Sequence, residues 1–374
     1  MGEITPHSLP DFPWDSLIPY KEIASKHPNG IVDLSIGTPI DDVPAIIQDA
    51  LITNSNTPGY PTTIGTVEFR TAAANWLKRK LQVEVASIEN VIPTIGSKEI
   101  VAWLPTLLNL NSNHSIAIPA VAYPTYKVGG LIAKCEVVIA DGVEQLEKAR
   151  IDAESKNKPL KLVWLNSPSN PTGAVLSAEE LSKIVKWAQA NEIIVASDEC
   201  YIQLGWNTAP KSILHKDVIG SSSRNILAVH SLSKRSNFAG YRAGILVGDE
   251  SLIKSILEIR KHAGMLTPLP VQAAAAAAFN DDAHAETQYE IYKNRRAKLS
   301  AALTQAGFRI DHSDAGLYLW ATRGEDCWST VKWLAEKGAL VAPGAFYGVA
   351  GEQHVRIALT ASDERIDSLI SRLS

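Results

Sequence analysis

Residues 227–248 read LAVHSLSKRSNFAGYRAGILVG and place one lysine directly after a strand-like apolar run. The run ends in small hydroxyl residues, Lys234 follows, and Arg242 lies eight residues further on. An amine that forms an imine must lose its proton near neutral pH, which requires a partly desolvated or electropositive place. A strand end beside Arg235 and Arg242 predicts such a place. The alternative is a solvated surface lysine.

Outward from this segment, short β-branched runs alternate with helical patterns up to about residue 265. VIPTI (91–95), KLVWLN (161–166) and IIVASDE (193–199) are such runs. This alternation predicts an α/β fold with a mostly parallel sheet and helices on both faces. After Thr267-Pro268 in the chain, we expect an Ala-rich helix that leads into a second, smaller α+β unit.

This organisation predicts three parts. They are an arm at 1–30 that packs on the small domain or on a partner subunit, a large ligand-binding domain at 31–268, and a small C-terminal domain at 269–374. Ser177 and Glu180 form a capping-box pattern that fixes the start of one helix.

Composition narrows the functional class. The net charge of −4 over 374 residues gives no general attraction to nucleic acid or to an anionic membrane. The three cysteines are far apart and form no metal-ligand spacing, so we expect no metal site and no disulfide framework. The N-terminus lacks a secretory pattern, no apolar run reaches membrane-spanning length, and a cytoplasmic enzyme is expected. No G-x-G-x-x-G follows a strand, which argues against a nicotinamide dehydrogenase.

Polar residues cluster where predicted strands end, and that is where open α/β sheets bind ligands. Asp198 and Tyr201 either cap a turn and pack in the core or form an acid–phenol pair in a site. NSPSNPTG (166–173) is, on its own, a Pro/Asn/Gly turn. Arg356 in HVRIALT lies on an apolar strand, where a buried charge is costly unless it is paired. An internal salt bridge and an anionic substrate are both open as its partner.

Taken in order, these motifs resemble the fold-type-I, pyridoxal-phosphate (PLP) dependent aminotransferases of class I/II. The resemblance rests on S-x-S-K ending at Lys234 with the G-x-R-x-G behind it, on D-x-x-Y at Asp198, and on N-P-T-G from Asn170, and it spans about residues 34–356. More narrowly, FPWDSLIPYKEIASKHPNGIVDLSIGTP, GYPTTIGTVEFR and SLSKRSNFAGYRAG look like bacterial N-succinyldiaminopimelate aminotransferases.

The resemblance implies a role for each matching position. Lys234 would hold PLP covalently and be the catalytic residue. The other cofactor-binding positions would be Gly96, Ser97, Lys98, Ser231 and Arg242 at the phosphate, Tyr123 on the ring, Asn170 and Tyr201 at the phenolic oxygen, Asp198 at the ring nitrogen, and Tyr60 reaching the phosphate of the neighbouring subunit. Substrate would meet Ile36, Gly37, Asn170 and Arg356. A cis peptide bond is implied at Asn170-Pro171.

The implied reaction is transamination between an amino acid and a 2-oxo acid, with N-succinyl-LL-2,6-diaminopimelate and 2-oxoglutarate as the expected pair in lysine and diaminopimelate biosynthesis. Alternatives are an aspartate, alanine or LL-diaminopimelate aminotransferase and a PLP-dependent C–S β-lyase. A regulator built on this fold would carry a DNA-binding module, for which the 30-residue arm is too short. We expect a homodimer with shared active sites, and Trp14, Lys127 and Arg235 are candidates to meet the far end of the substrate.

Overall fold

The computed structural model describes residues 9–373. Its strands are β1 (Val32–Asp33), β2 (Val91–Ile95), β3 (Ser115–Ile118), β4 (Glu136–Ile139), β5 (Leu160–Asn166), β6 (Ile194–Asp198), β7 (Ile226–Ser231), β8 (Ala243–Gly248), β9 (Arg309–Ile310), β10 (Tyr318–Thr322), β11 (Ala339–Leu340), β12 (Ala342–Pro343) and β13 (Val355–Ala358). Its α-helices are α1 (Ile18–Ser25), α2 (Ala45–Thr53), α3 (Val67–Leu81), α4 (Gly96–Leu107), α5 (Thr125–Ile132), α6 (Gly142–Ser155), α7 (Ala178–Ala190), α8 (Lys216–Ile219), α9 (Glu250–Ala263), α10 (Leu269–Asn280), α11 (Ala283–Gln305), α12 (Cys327–Glu336) and α13 (Asp363–Leu373).

A seven-stranded sheet in the order β2-β8-β7-β6-β5-β3-β4 forms the centre of the larger part of the chain. Six of its strands run in the same direction, and β8 alone of the seven runs antiparallel to both of its neighbours. The predicted α/β fold with a mostly parallel sheet is therefore confirmed. Apolar cores cover both faces, one built around Phe69 and Trp76 and the other around Tyr126 and Trp164.

A third core surrounds the four-stranded antiparallel sheet β12-β13-β10-β9. Val32 and Leu34 were predicted to belong to the large domain, but they lie in this third core because β1 pairs with β11. The described part of the arm packs there too, with Leu17 buried and the ring of Tyr20 stacked at 5.5 Å on Trp328 of α12. Residues 1–8 of the predicted arm lie outside the described residues.

Local sequence signals explain where several helices begin. Ser177 and Glu180 form the predicted capping box at the start of α7. Asp249 accepts from two backbone N–H groups at the start of α9, and Gly264 ends that helix in a left-handed conformation.

Parallel strands bring the polar strand ends of the predicted site together. In the sheet register Asn166 at the end of β5 lies opposite Asp198 at the end of β6, and the Asn166 Nδ2 donates to the Asp198 carbonyl at 2.8 Å. The end of β7 follows alongside with Ser231. No helix among residues 9–373 combines the length and the apolar character that a membrane crossing requires.

Candidate active site

Lys234 lies three residues beyond the end of β7, and its amine donates a hydrogen bond to the carbonyl of Gly37. Burial lowers the pKa of this amine, Tyr318 and Cys200 oppose that fall, and the guanidinium groups of Arg356 and Arg242 add to it. Desolvation and positive neighbours both disfavour the ammonium form, so a larger fraction of the amine is unprotonated near neutral pH. The structure thus gives Lys234 the environment that a nucleophilic amine requires.

Asp198 is a buried acid at the end of β6. Its Oδ2 accepts from the hydroxyl of Tyr126 at 2.9 Å, and its Oδ1 accepts from the backbone N–H of Cys200 at 3.2 Å. Burial raises the pKa of Asp198, and these hydrogen bonds oppose that rise. Among the described residues no cation is paired with this carboxylate. A bound ligand with a protonated ring nitrogen against Asp198 would therefore stabilise the ionised carboxylate.

The first turn of α4 and the β7–β8 connection meet at Gly96. The Gly96 N–H donates to the carbonyl of Arg242 at 2.9 Å, and a Cβ on Gly96 would lie 2.3 Å from Arg242 Nη2. The guanidinium of Arg242 therefore lies directly over the start of α4, with Ser97 next in the chain. An arginine at a helix N-terminus is an arrangement suited to a phosphate.

Ser231 lies opposite Gly244 of β8 in the sheet register, two residues after Arg242 in the chain, and its Oγ accepts from the Ser233 N–H at 3.1 Å. Lys98 differs from its neighbours in α4. Its side chain is exposed, and its Nζ lies 5.7 Å from the ring centroid of Phe12 in the arm. The predicted phosphate role of Lys98 stays a prediction.

Arg356 is 3% exposed on β13 and has only neutral hydrogen-bond partners. Its Nη1 donates to Asn170 Oδ1 at 3.0 Å and its Nη2 donates to the Ser35 carbonyl at 2.6 Å. Its Nε has no partner, and no carboxylate of the described residues forms a salt bridge with it. Of the two partners left open by the sequence, the internal salt bridge is not formed.

The Asn170-Pro171 bond is cis, which confirms that prediction, and Ser167-Pro168 is also cis. Ile36 is half exposed next to Gly37. Tyr123 lies with its ring 5.8 Å from that of Tyr126, and burial raises its pKa to about 12.

Tyr60 is 97% exposed in the single chain, so its predicted reach into a partner subunit remains a prediction. Two of the three candidates for the far end of the substrate lie at the surface or near Arg356. Lys127 is exposed, and the Trp14 ring centroid lies 5.8 Å from the Arg356 guanidinium carbon.

The third candidate, Arg235, is buried beside α10, and its predicted contact with the substrate stays a prediction. It is 5% exposed, and its Nη1 donates to the carbonyl of Ala278 in α10 at 2.8 Å, with Asp282 3.9 Å from Nη2. Its guanidinium is thus committed to the contact with α10. Of the two arginines expected to lower the pKa of Lys234, Arg242 does so, and the second arginine that does so is Arg356 rather than Arg235.

Two site residues were missed by the sequence analysis. Tyr126 binds Asp198, and its position three residues after Tyr123 at the start of a helix was an available signal. Tyr318 lies with its ring 4.0 Å from the Arg356 guanidinium carbon, and its hydroxyl is 3.0 Å from that of Tyr201. Only its place on an apolar strand was visible in the sequence.

These residues fit PLP. Lys234 offers an amine with a lowered pKa, Asp198 offers a buried carboxylate without a cation, and Gly96 with Arg242 offers an anion-binding cup. Three needs of one cofactor, for an imine-forming amine, a ring-nitrogen partner and a phosphate site, are met by these residues.

The sequence of this chain is similar to the sequences of known aminotransferases. A profile of the family "Aminotransferase class I and II" matches residues 29–373. The chain is 51% identical over 366 residues to the 4-dedimethylamino-4-oxo-anhydrotetracycline transaminase OxyQ of Streptomyces rimosus, covering 98% of this chain and 99% of that protein. It is 51% identical over 367 residues to a "probable aminotransferase" of Mycobacterium tuberculosis, covering 98% and 86%. An LL-diaminopimelate aminotransferase of Aquifex aeolicus is 31% identical over 354 residues, covering 92% and 90%.

Among solved structures, an aminotransferase of Neisseria meningitidis superposes with a TM-score of 0.86 at 29% identity, covering 98% of this chain and 96% of that one. A probable N-succinyldiaminopimelate aminotransferase of Thermus thermophilus has a TM-score of 0.85 at 24% identity, covering 97% and 99%, and this likeness concerns the fold alone. The match over nearly the whole chain, together with the lysine, acid and anion cup described above, shows that the chain belongs to the PLP-dependent class I and II aminotransferase family.

Proposed function

We propose that this aminotransferase binds the α-carboxylate of its amino acid and 2-oxo acid substrates on Arg356 and moves the α-proton with Lys234. The observation that carries the proposal is the buried Arg356 guanidinium, which has no carboxylate partner among the described residues. A guanidinium has five N–H donors. Asn170 and Ser35 use two of them, so three remain for the two oxygens of a carboxylate.

Bound PLP supplies an electron-withdrawing ring that stabilises negative charge at the α-carbon of the substrate. The chain supplies the groups around that carbon. Lys234, with its lowered pKa, is the base for the α-proton. Asp198 holds a proton at the ring nitrogen, with Tyr126 and the Cys200 N–H orienting its carboxylate.

For the substrate itself we propose N-succinyl-LL-2,6-diaminopimelate as amino donor and 2-oxoglutarate as acceptor. The support is the resemblance of residues 12–39, 59–70 and 231–244 to N-succinyldiaminopimelate aminotransferases. The names of the relatives at 51% and 31% identity keep two other substrates in view, a 4-oxo-anhydrotetracycline, which would accept the amino group, and LL-diaminopimelate. Aspartate, alanine and the C–S β-lyase reaction are the further alternatives.

A donor panel with 2-oxoglutarate tests this proposal. N-Succinyl-LL-2,6-diaminopimelate should give the highest kcat/KM, above LL-diaminopimelate, aspartate and alanine. If it is no better than alanine, the substrate assignment falls while the transamination remains. If cystathionine yields pyruvate faster than any donor yields glutamate, the lyase reading replaces it.

We further propose a cytoplasmic homodimer in which Tyr60 serves the neighbouring active site. Its 97% exposure in the single chain is compatible with burial against a partner. Mixing a Lys234→Ala protein with a Tyr60→Phe protein, each impaired alone, should restore up to about a quarter of the sites to wild-type composition. Absence of any recovery in subunits proven to exchange would contradict a shared site.

A further inference from the structure

Tyr318 is a buried polar residue of the site whose contacts were not predicted from the sequence. It is 3% exposed on β10, and its hydroxyl lies 3.0 Å from the hydroxyl of Tyr201, which is 7% exposed. The two rings meet edge to face, with centroids 5.6 Å apart and planes at 71°. The pair is thus a buried phenol–phenol hydrogen bond between residues 117 positions apart in the chain.

Other residues fix Tyr318 from two more sides. A Cβ on Gly37 would lie 2.3 Å from the Tyr318 hydroxyl oxygen, so a glycine is needed there for the tyrosine to fit. The Arg356 guanidinium carbon lies 4.0 Å from the Tyr318 ring centroid, in cation–π contact. A side chain held by Gly37, Arg356 and Tyr201 has little freedom to turn its hydroxyl elsewhere.

The number of protons decides the direction of the hydrogen bond. A phenol donates one proton and accepts with its lone pairs. In the proposed site Tyr201 donates its only proton to the phenolic oxygen of the cofactor. Its hydroxyl oxygen can then only accept from Tyr318.

We propose that Tyr318 is a positioning residue that donates its hydroxyl proton to Tyr201 and thereby strengthens the hydrogen bond that Tyr201 gives to the phenolic oxygen of the bound cofactor. This inference rests on the proposed placement of Tyr201. Hydrogen bonds in a chain polarise one another, so a Tyr201 that accepts is a better donor.

The consequence concerns the proton on the Lys234 nitrogen in the loaded enzyme. A hydrogen bond donated to the phenolic oxygen stabilises its negative charge, and that charge attracts the proton on the neighbouring Lys234 nitrogen. With the charge already satisfied by Tyr201, the nitrogen holds its proton less tightly. Loss of the Tyr318 hydroxyl should therefore raise the pH at which that proton is lost.

The charged and titratable groups that face this pair are Lys234, Arg356, Cys200, Tyr123, Tyr292 and Tyr347. None of them is altered by Tyr318→Phe, which removes one oxygen and keeps the ring against Arg356. The phenylalanine fits the same volume, so the fold should be retained.

The test is the pH titration of the cofactor absorbance band in the holoenzyme. Tyr318→Phe should move the midpoint upward by about half a pH unit. Tyr347→Phe is the matched control, because it removes another buried tyrosine hydroxyl near Arg356. The ring centroid of Tyr347 lies 5.2 Å from the Arg356 guanidinium carbon, and its hydroxyl has no hydrogen-bond partner among the described residues. It should leave the midpoint unchanged. Thermal unfolding of each holoenzyme verifies that the variants are folded.

The same titration in a Tyr201→Phe background separates the possible failures. Tyr201→Phe should raise the midpoint more than Tyr318→Phe does, and adding Tyr318→Phe to it should have no further effect. If Tyr201→Phe leaves the midpoint in place, the proposed cofactor contact is wrong and this inference falls with it. If Tyr201→Phe shifts the midpoint but Tyr318→Phe does not, or shifts it equally in both backgrounds, only the relay through Tyr318 is wrong.

Discussion

Replacing Arg356 with glutamine tests the proposed carboxylate site. The guanidinium keeps three unused donors, so a substrate carboxylate can form two charge-assisted hydrogen bonds with it. Each such bond contributes about 1.5–3 kcal/mol. Losing both should cost roughly 3–6 kcal/mol, which is about a 10²- to 10⁴-fold fall in kcat/KM for amino acid donors.

The assay is the half-reaction of the holoenzyme with an amino acid and with the matching amine that lacks the α-carboxylate. In the wild-type protein the amino acid should react faster by about the same 10²- to 10⁴-fold factor. Arg356→Gln should remove most of that difference, because the amine never used the guanidinium.

Arg323→Gln is a matched control, since Arg323 is a half-buried arginine near β10 whose guanidinium carbon lies 4.2 Å from the Trp333 ring centroid. It should leave the discrimination intact. If Arg356→Gln slows the amino acid and the amine by the same factor, Arg356 serves the fold and the proposed carboxylate site is refuted.

Three further outcomes follow from the structure. Gly96→Ala places a methyl group 2.3 Å from Arg242 Nη2 at a backbone φ of +66°. PLP affinity, measured by fluorescence titration, should therefore fall about tenfold, and the free energy of unfolding should fall by about 1–2 kcal/mol. Unchanged PLP affinity would contradict the proposed phosphate site. Asp198→Asn should lower kcat on the order of 100-fold at unchanged PLP occupancy, and a near-normal kcat would show that its charge is not needed. Glu199 is 1% exposed, and burial raises its pKa from 4.5 to about 7. Between these two pH values the folded state keeps a proton that the unfolded state releases. The contribution of Glu199 to stability therefore falls as the pH rises from 4.5 to 7. Relative to Glu199→Gln, the wild-type free energy of unfolding should therefore decline by up to about 3 kcal/mol across that window in denaturant titrations; a constant difference would contradict the raised pKa.

The polar strand ends could be predicted because the parallel sheet follows from local alternation of apolar runs and helices. Asn166, Asp198 and Ser231 each end a strand, and parallel strands carry their ends to one edge. The direction of β8 was also within reach. The segment between Ser231 and Ala243 contains no crossover helix, and a connection that short favours an antiparallel neighbour.

Contacts between distant segments could not be predicted. The hydroxyl contact of Tyr201 and Tyr318 joins residues 117 positions apart, and no spacing rule reports it. Side-chain direction in an irregular segment was also hidden. Lys234 and Arg235 are adjacent, yet the first faces Gly37 and the second faces α10, because the chain turns between β7 and β8.

The pairing of β1 with β11 explains why Val32 and Leu34 lie in the core of the small domain and not in the large domain, where they were predicted. Val32 and Leu34 precede the large sheet in sequence, and their short run gave no sign of the partner strand, which begins at Ala339. Long-range pairing of two-residue strands depends on the packed cores around them rather than on local pattern.

The most direct test is chemical identification of the lysine that holds the cofactor. Protein loaded with PLP is treated with borohydride, digested and mapped by mass spectrometry, with Lys98→Ala protein as a parallel sample. The label should be found on Lys234 in both samples, and Lys234→Ala protein should show neither label nor the cofactor absorbance band. Recovery of the label on another lysine, or an absorbance band that survives in Lys234→Ala, would contradict the account.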